Sequence, residues 1–346
     1  MPVPKILLPL LSAWICSLAL LRADGDLAAE IQRVVDEEMA ANQVPGAVVG
    51  VWRGGQPVTV FARGFSEVAG SVPMSVTDHF RIASITKTFT TTRVLQLQEA
   101  GLLSLSDPIG KYIPGLVNSS TTLRQLGDMT AGFFNYTHDP VFAAELPVNP
   151  LRVWNSAELV ALANSHGPRF APGTSWEYSN TNTLLLQMVV EQVTGNSLAV
   201  EFQNAFFTPL SMGTASYPAT ADLPLPHAHG HMVLPDNAGS LDLTAIDPSI
   251  AQGAGAIVAT LADVGIWIEA LGRGDLLSPE SQEERLVMNP AGEGYDAYGF
   301  GIARIGDWIG HDGVFPGFQS LALYDPAQDQ TLVILSNATF AGSDYH

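Results

Sequence analysis

Lysine is scarce in this chain: Lys5, Lys87 and Lys111 are the only three, and Lys87 stands three residues after Ser84 in Ser84-Ile85-Thr86-Lys87. Residues three apart share a helix face, so a helix starting here brings the Ser84 hydroxyl and the Lys87 amine together. A serine hydroxyl is a poor nucleophile at neutral pH until a base takes its proton. A neutral lysine is such a base, and burial or neighbouring cations lower its pKa toward that role. Free N–H groups and the dipole at a helix start also stabilise negative charge beside Ser84. The pair points to acyl transfer by a serine hydrolase, although Ser-x-x-Lys alone also describes a surface lysine one turn into a helix.

Two later segments carry side chains suited to the same chemistry. In Phe170-Ala171-Pro172-Gly173-Thr174-Ser175-Trp176-Glu177-Tyr178-Ser179-Asn180-Thr181-Asn182, a Pro-Gly turn delivers Tyr178 and Asn180 into a tight loop before a helix. Tyr178 shuttles a proton if its pKa is lowered, and Asn180 offers an amide donor to a substrate carbonyl. An ordinary turn and helix cap accounts for Ser179 and Asn180 equally well. Gly310-His311-Asp312-Gly313-Val314-Phe315-Pro316-Gly317-Phe318 reads as a glycine-rich turn. There His311 completes a proton relay, and a backbone N–H after the glycine points at a developing oxyanion. A purely structural histidine suits such a turn as well.

These residues need a frame. Apolar residues at helical spacing predict a helix over 27–41, and β-rich runs at 47–52 and 58–62 flank Arg53-Gly54-Gly55-Gln56 as a hairpin. A helix over 84–100 stops at Gly101. Helical pieces and loops run on to Asp275, the clearest helices covering 184–193 and 262–271, and strand patterns return at 298–305, 318–324 and 330–335. That order predicts one sheet built from both ends of the chain, 24–90 and 292–346, with a mainly helical insert over 91–291.

Residues 1–23 read as a signal peptide: Lys5 precedes an apolar run from Ile6 to Leu21, and Ala23 is a small residue for cleavage. The run is short for a membrane span, so a secreted protein, extracellular or periplasmic, is expected, with no stable membrane span after processing. The single cysteine, Cys16, falls in this leader, which removes disulfides and thiol chemistry from the mature chain, 24–346. With 47% hydrophobic and 14% charged residues among 346, the chain can bury a sizeable core. A net charge of −19 argues against nucleic acid or anionic membrane surfaces as partners.

Ser84-x-x-Lys87, Tyr178-x-Asn180 and His311-x-Gly313, in that order, resemble the three motifs of the penicillin-recognising serine hydrolases. These include class C β-lactamases, serine D-alanyl-D-alanine carboxypeptidases and β-lactamase-like esterases. RIASITKTFTT, LSLSDPIGKYIPGL, TLRQLGDMTAG, FAPGTSWEYSNTN and GHDGVFPGF each look like a family block, so the resemblance spans nearly the whole mature chain. It is strongest to the secreted carboxypeptidase branch, which carries YSNTN and a third-motif histidine. The resemblance implies an α/β (α+β) fold with an antiparallel sheet flanked by helices. It makes Ser84 the acylated nucleophile, Lys87 the general base or relay, Tyr178 the partner base and leaving-group acid, Asn180 the orienting amide and His311 the third-motif relay. The backbone N–H groups of Ser84 and Val314 would form the oxyanion hole, and Asp312, Gly313 and Val314 would line the substrate. The implied activity is that of a D-alanyl-D-alanine carboxypeptidase-like peptidase on a small peptide or ester, peptidoglycan-derived material included. The alternatives are an esterase, amidase or β-lactamase, or a penicillin-binding sensor without turnover. No cofactor and no metal are implied, and a monomer is expected.

Three departures from that pattern bear on specificity. Such carboxypeptidases tend to carry hydroxyl residues after the third-motif histidine and glycine, and an arginine on the preceding strand, which hold the substrate's terminal carboxylate. Here Asp312 and Val314 occupy the hydroxyl positions, and Ala303 the arginine position, with Arg304 one residue later. A one-residue slip turns a strand side chain to the other face. Family members also finish with a long helix, whereas this chain stops at Ala341-Gly342-Ser343-Asp344-Tyr345-His346, and a fragment is expected. Lesser signals are the alternating His227, His229 and His231, a weak zinc pattern with no identifiable acidic partner, and the glycosylation sequons at Asn118, Asn135 and Asn337. Arg273-Gly274-Asp275 is read as a turn.

Overall fold

The computed structural model describes residues 24–235 and 238–341. The expected leader, with Cys16, lies outside the described residues, as do residues 342–346.

A nine-stranded antiparallel sheet forms the centre. Its strands are β1 (Gly46–Arg53), β2 (Gln56–Glu67), β3 (Val72–Pro73), β4 (Asn289–Pro290), β5 (Ala297–Tyr298), β6 (Ala303–Ile305), β7 (Trp308–Phe315), β8 (Phe318–Asp325) and β9 (Gln330–Ser336). They lie in the order β3-β2-β1-β9-β8-β7-β6-β5-β4. The two ends of the chain meet at the β1–β9 ladder, where Ala47 faces Ser336 and Arg53 faces Gln330. Alternating side chains divide the strands between two cores. Val49, Val51, Leu321, Leu323 and Leu332 face helix α1 (Asp24–Asn42) and meet its Leu27, Ile31 and Val35. Val48, Ala322, Val333 and Leu335 face the other way, into the larger core beneath the insert.

Three helices of that larger core matter for the site. They are α2 (Thr86–Glu99), α3 (Asn180–Thr194) and α4 (Leu261–Arg273). Phe89 of α2 stacks on Trp267 of α4 with ring centroids 3.5 Å apart. The first turns of α2 are buried all round, although threonines 86, 88, 90, 91 and 92 are polar. Thr88 donates to the Ile85 carbonyl at 2.7 Å and Thr91 to that of Lys87 at 2.9 Å, while Thr90 donates outside the helix to the Gly253 carbonyl at 2.7 Å and Thr86 accepts from the Ile257 N–H at 3.2 Å. A hydroxyl that folds back onto its own helix can be buried without an outside partner. Gly101 ends this helix at φ +70°. The insert is mainly helical but also holds short strands, at 231–233, 240–242 and 258–259.

Two sequence expectations need correction. Gly310-His311-Asp312-Gly313 is not a turn but the middle of the eight-residue strand β7, with His311 opposite Ala322 and Gly313 opposite Ser320. Its glycines serve close approach rather than chain reversal. A Cβ at Gly310 would stand 2.1 Å from the Ala322 carbonyl oxygen, and one at Gly313 2.6 Å from the Ser84 backbone nitrogen. The expected strand over 298–305 is split into β5 and β6, because Gly301 at φ +68° reverses the chain between them.

The three sequons sit in the interior. Asn118, Asn135 and Asn337 are all buried, and Asn337 donates to the carbonyls of Phe65 and His229 at 3.1 and 3.0 Å. A glycan cannot be attached to such an amide in the folded chain. Arg273-Gly274-Asp275 is the C-terminal cap of α4, with Gly274 at φ +82° and Arg273 paired to Asp329 at 2.7 Å. Among the described residues, no three His, Cys, Asp or Glu side chains converge as metal ligands.

Candidate active site

Ser84 occupies a single 3-10 turn, Ala83–Ile85, that leads directly into α2. The preceding Ala83 is held at φ +49°, a left-handed conformation that costs a non-glycine residue about 1–2 kcal/mol. Flanking contacts impose it. Ser320 of β8 donates to the Ile82 carbonyl at 2.8 Å, and the Ile82 N–H donates to the Ile257 carbonyl at 3.0 Å. Strand β7 presses against the same turn through Gly313. Gly313→Ala therefore forces a backbone shift at the nucleophile and lowers kcat/KM by about 10²-fold, the typical penalty for misplacing a reacting group by an ångström. Steady-state kinetics on the folded variant, with its thermal midpoint as control, checks this.

Lys87, the second residue of α2, is wholly buried, with Nζ 2.8 Å from Ser84 Oγ. It donates to the Ala254 carbonyl at 2.9 Å. That carbonyl is placed by its neighbour Gly253, whose N–H donates to Gln187 of α3 at 2.7 Å and whose carbonyl accepts from Thr90 of α2 at 2.7 Å. Burial drives the Lys87 amine well below the ordinary lysine pKa, and the Asp312 carboxylate offsets this only in part. A neutral amine keeps a lone pair for the serine proton.

Tyr178 also reaches the nucleophile. Its hydroxyl shares a hydrogen bond with Ser84, and Lys87 Nζ sits 4.9 Å from its ring centroid. The sequence argument asked for a lowered tyrosine pKa. Burial instead pushes Tyr178 well above the ordinary value, with Tyr298 adding to the rise. Tyr178 is therefore a phenol, a proton donor and relay, while the free base of the site is Lys87. Asn180 opens α3, buried, with its N–H donating to Asn135 at 3.2 Å and its side-chain amide to Thr137 at 3.5 Å.

His311 is fully buried on β7. Its Nδ1 contacts the Asp312 backbone carbonyl at 2.5 Å and its Nε2 the Tyr298 hydroxyl at 2.9 Å. A carbonyl only accepts, so Nδ1 carries the proton and Nε2 accepts from Tyr298. Burial lowers the imidazole pKa to about 4, which keeps it neutral at neutral pH. Its ring centroid is 6.1 Å from that of Tyr178, so its direct partner is Tyr298 rather than the motif tyrosine. Asp312 is 17% exposed, and the Tyr295 hydroxyl donates to its carboxylate.

Tyr295 and Tyr298 are the site residues that sequence reasoning missed. Both belong to Gly292-Glu293-Gly294-Tyr295-Asp296-Ala297-Tyr298, where aromatic residues in a glycine loop look like packing. Ala303 packs in the same cluster as Tyr178 and Tyr298, while the neighbouring Arg304 is exposed. No cation thus stands at the arginine position.

Ser84, Asn180 and Val314 line one cleft, whose remaining wall is mostly apolar and includes Tyr136, Phe142, Leu146, Ile250 and Phe315, with Thr137 as a polar exception. The arrangement can form an acyl-serine: a hydroxyl with a desolvated amine at its oxygen, a phenol bonded to it and a mostly apolar cleft for the acyl group. Because protonated Lys87 cannot accept the serine proton, kcat/KM falls on the acid side as pH drops through the lowered lysine pKa. Asp312 raises that pKa, so in Asp312→Asn the acid limb moves to lower pH. A pH–rate profile of both proteins measures the displacement.

A family model described as Beta-lactamase matches residues 31–345. Penicillin-binding protein 4* of Bacillus subtilis (strain 168) is 27% identical over 319 residues, 86% of this chain and 68% of that protein. The chain spans about two thirds of the curated relatives it matches, 68% of that protein and 64% of Protein flp from Staphylococcus aureus (strain N315). Among solved structures, a D-stereospecific amidohydrolase from Streptomyces sp. superposes with a TM-score of 0.80 at 33% identity, covering 87% of this chain and 92% of that one. The D-amino acid amidase from Ochrobactrum anthropi SV3, complexed with L-phenylalanine amide, gives 0.82 at 27% identity over 91% and 92% of the two chains. The sheet, the helical insert and the matched model agree: this chain belongs to the Beta-lactamase family, whose fold serves serine hydrolases.

Proposed function

We propose that the protein is an amidohydrolase that transfers a compact apolar acyl group from an amide or ester to Ser84 and then to water. The observation that carries this reading is the buried, neutral Lys87 2.8 Å from Ser84 Oγ. Lys87 takes the serine proton as Oγ bonds the acyl carbon, and the Tyr178 phenol relays a proton to the departing amine or alcohol. The N–H groups of Ser84 and Val314 hold the oxyanion, and Asn180 orients the acyl amide or carbonyl. Loss of one oxyanion donor typically costs about 2.7–4 kcal/mol of transition-state stabilisation. Water then releases the acid by the reverse proton path.

The site favours this reading over a D-alanyl-D-alanine carboxypeptidase. Ala303 fills the position for a carboxylate-binding cation, and Asp312 puts an acidic side chain, bonded by Tyr295, where such enzymes carry a hydroxyl. The relatives named as a D-amino acid amidase and a D-stereospecific amidohydrolase support a D-configured acyl group. The carboxypeptidase remains the second reading, supported by the penicillin-binding relatives. Release of ammonia from D-phenylalanine amide, compared with release of D-alanine from a D-Ala-D-Ala peptide, separates the two. The amide is expected to give at least about tenfold the kcat/KM of the peptide. The reverse order would move the assignment to the carboxypeptidase.

A further inference from the structure

We propose that the leaving-group side of this site selects a cation: the favoured acyl donors are esters or amides whose departing alcohol or amine carries an ammonium group, held by the Asp312 carboxylate. This rests on the acyl-transfer reading of Ser84 and names the chemistry of the second half of its substrate.

The direction of departure follows from the two sides of Ser84. The apolar cleft with Tyr136, Phe142 and Ile250 suits an acyl group, whereas Tyr178, the proton source, is outside its lining and packs among Tyr295, Tyr298 and His311. A group leaving toward Tyr178 therefore leaves toward Asp312. Strand β6 pairs with β7 only as far as Gly310, so the β7 edge from His311 onward carries no ladder partner on that side. Asp312 stands at this gap, its carboxylate bonded by Tyr295, whose ring lies beside that of Tyr178.

Among the described residues, the carboxylate has no charged positive partner. Tyr295 donates to its Oδ1. Among the described residues, the sole basic group recorded within ion-pair distance is His311, with Nδ1 3.7 Å from Oδ1, and that nitrogen's proton goes to the Asp312 carbonyl. Aromatic rings surround the same spot: Tyr295 lies 5.7 Å from Tyr298 and 6.4 Å from Tyr178, centroid to centroid. Ring faces attract quaternary and protonated ammonium groups, most strongly where water is excluded. Ala303 supplies no counter-charge and Arg304 is exposed, so a leaving group ending in a carboxylate meets repulsion while an ammonium meets its complement. The net charge of −19 draws cations toward the molecule in the same sense.

The step balances without a co-reactant. Ser84 Oγ bonds the acyl carbon, the carbon–oxygen or carbon–nitrogen bond to the leaving group breaks with its electron pair, and the serine proton ends on the departing atom. The ammonium is a spectator held by charge.

The test is a series of three 3-phenylpropanoyl esters, of choline, of 3,3-dimethylbutanol and of 3-hydroxypropanoate, which differ mainly in leaving-group charge. In the wild-type protein kcat/KM is expected to fall by about tenfold from the cationic to the neutral ester and again to the anionic one, shrinking at high salt. In Asp312→Asn the cationic-to-anionic ratio is expected to collapse to within about threefold, and Asp312→Thr provides a second variant should the first misfold. Equal rates for the three wild-type reactions, or an anionic preference, would overturn the proposal while leaving the acyl-enzyme intact. Turnover of none of the three would overturn both readings.

Discussion

Lys87→Met is expected to lose about 10³–10⁴-fold in kcat/KM toward amides and esters alike, because general-base removal acts before any leaving group matters. The variant should nonetheless fold, since methionine fills much of the same volume and Ser84 keeps its bond to Tyr178. Its stability carries an independent signature of the neutral lysine. Burial lowers the folded-state pKa of Lys87 well below 10.5, so between those two values the unfolded chain binds a proton that the folded chain does not. Stability therefore rises with pH in that window, and wild type gains on Lys87→Met by about 1.4 kcal/mol per pH unit. Urea denaturation of both proteins between neutral pH and pH 10 reads this slope directly. A flat difference would mean that Lys87 is charged in the folded protein and unfit as base.

The second large effect belongs to Tyr178→Phe. Removing the hydroxyl leaves the base in place but deletes the proton donor on the leaving-group side. The loss should depend on how badly the leaving group needs a proton. A phenylalanine amide, which expels an amine, is expected to lose about 10²–10⁴-fold, the usual range for general-acid catalysis. A p-nitrophenyl ester, whose anion leaves unaided, should lose far less. The raised phenol pKa bears on this directly, because a phenol held protonated by burial and by Tyr298 is available as an acid throughout the neutral range. Equal losses for amide and ester would instead assign Tyr178 a positioning role.

Much of the site was legible because it depends on short-range spacing. Ser84 and Lys87 are three residues apart, and the 3-10 turn running into α2 puts them on one face. Tyr178 and Asn180 could be placed at a helix start because Pro172 and Gly173 mark the preceding turn. The fold was legible for a similar reason, since period-2 runs at both chain ends bracket a helical middle. What could not be read depends on distant packing. The glycines of β7 look like turn residues in the sequence, and only the Ala322 carbonyl and the Ser84 backbone explain why no Cβ fits there. Tyr298 enters the site because the β5–β6 reversal brings it against His311. The direction of the Tyr178 shift required its burial among other tyrosines, which no local pattern announces. The specificity departures were visible as residue types, but the exposure of Arg304 and the packing of Ala303 decide what they mean.

Peptide mapping of the acyl-enzyme tests the central assignment most directly. The protein would be incubated with a p-nitrophenyl 3-phenylpropanoate ester, quenched in acid during turnover, digested and analysed by mass spectrometry, with Ser84→Ala in parallel. The expected result is a mass increase of one 3-phenylpropanoyl group on the peptide containing Ser84, absent from the variant, which also shows no turnover. An acyl group on another residue, or continued turnover by Ser84→Ala, would contradict the assignment of Ser84 as the nucleophile.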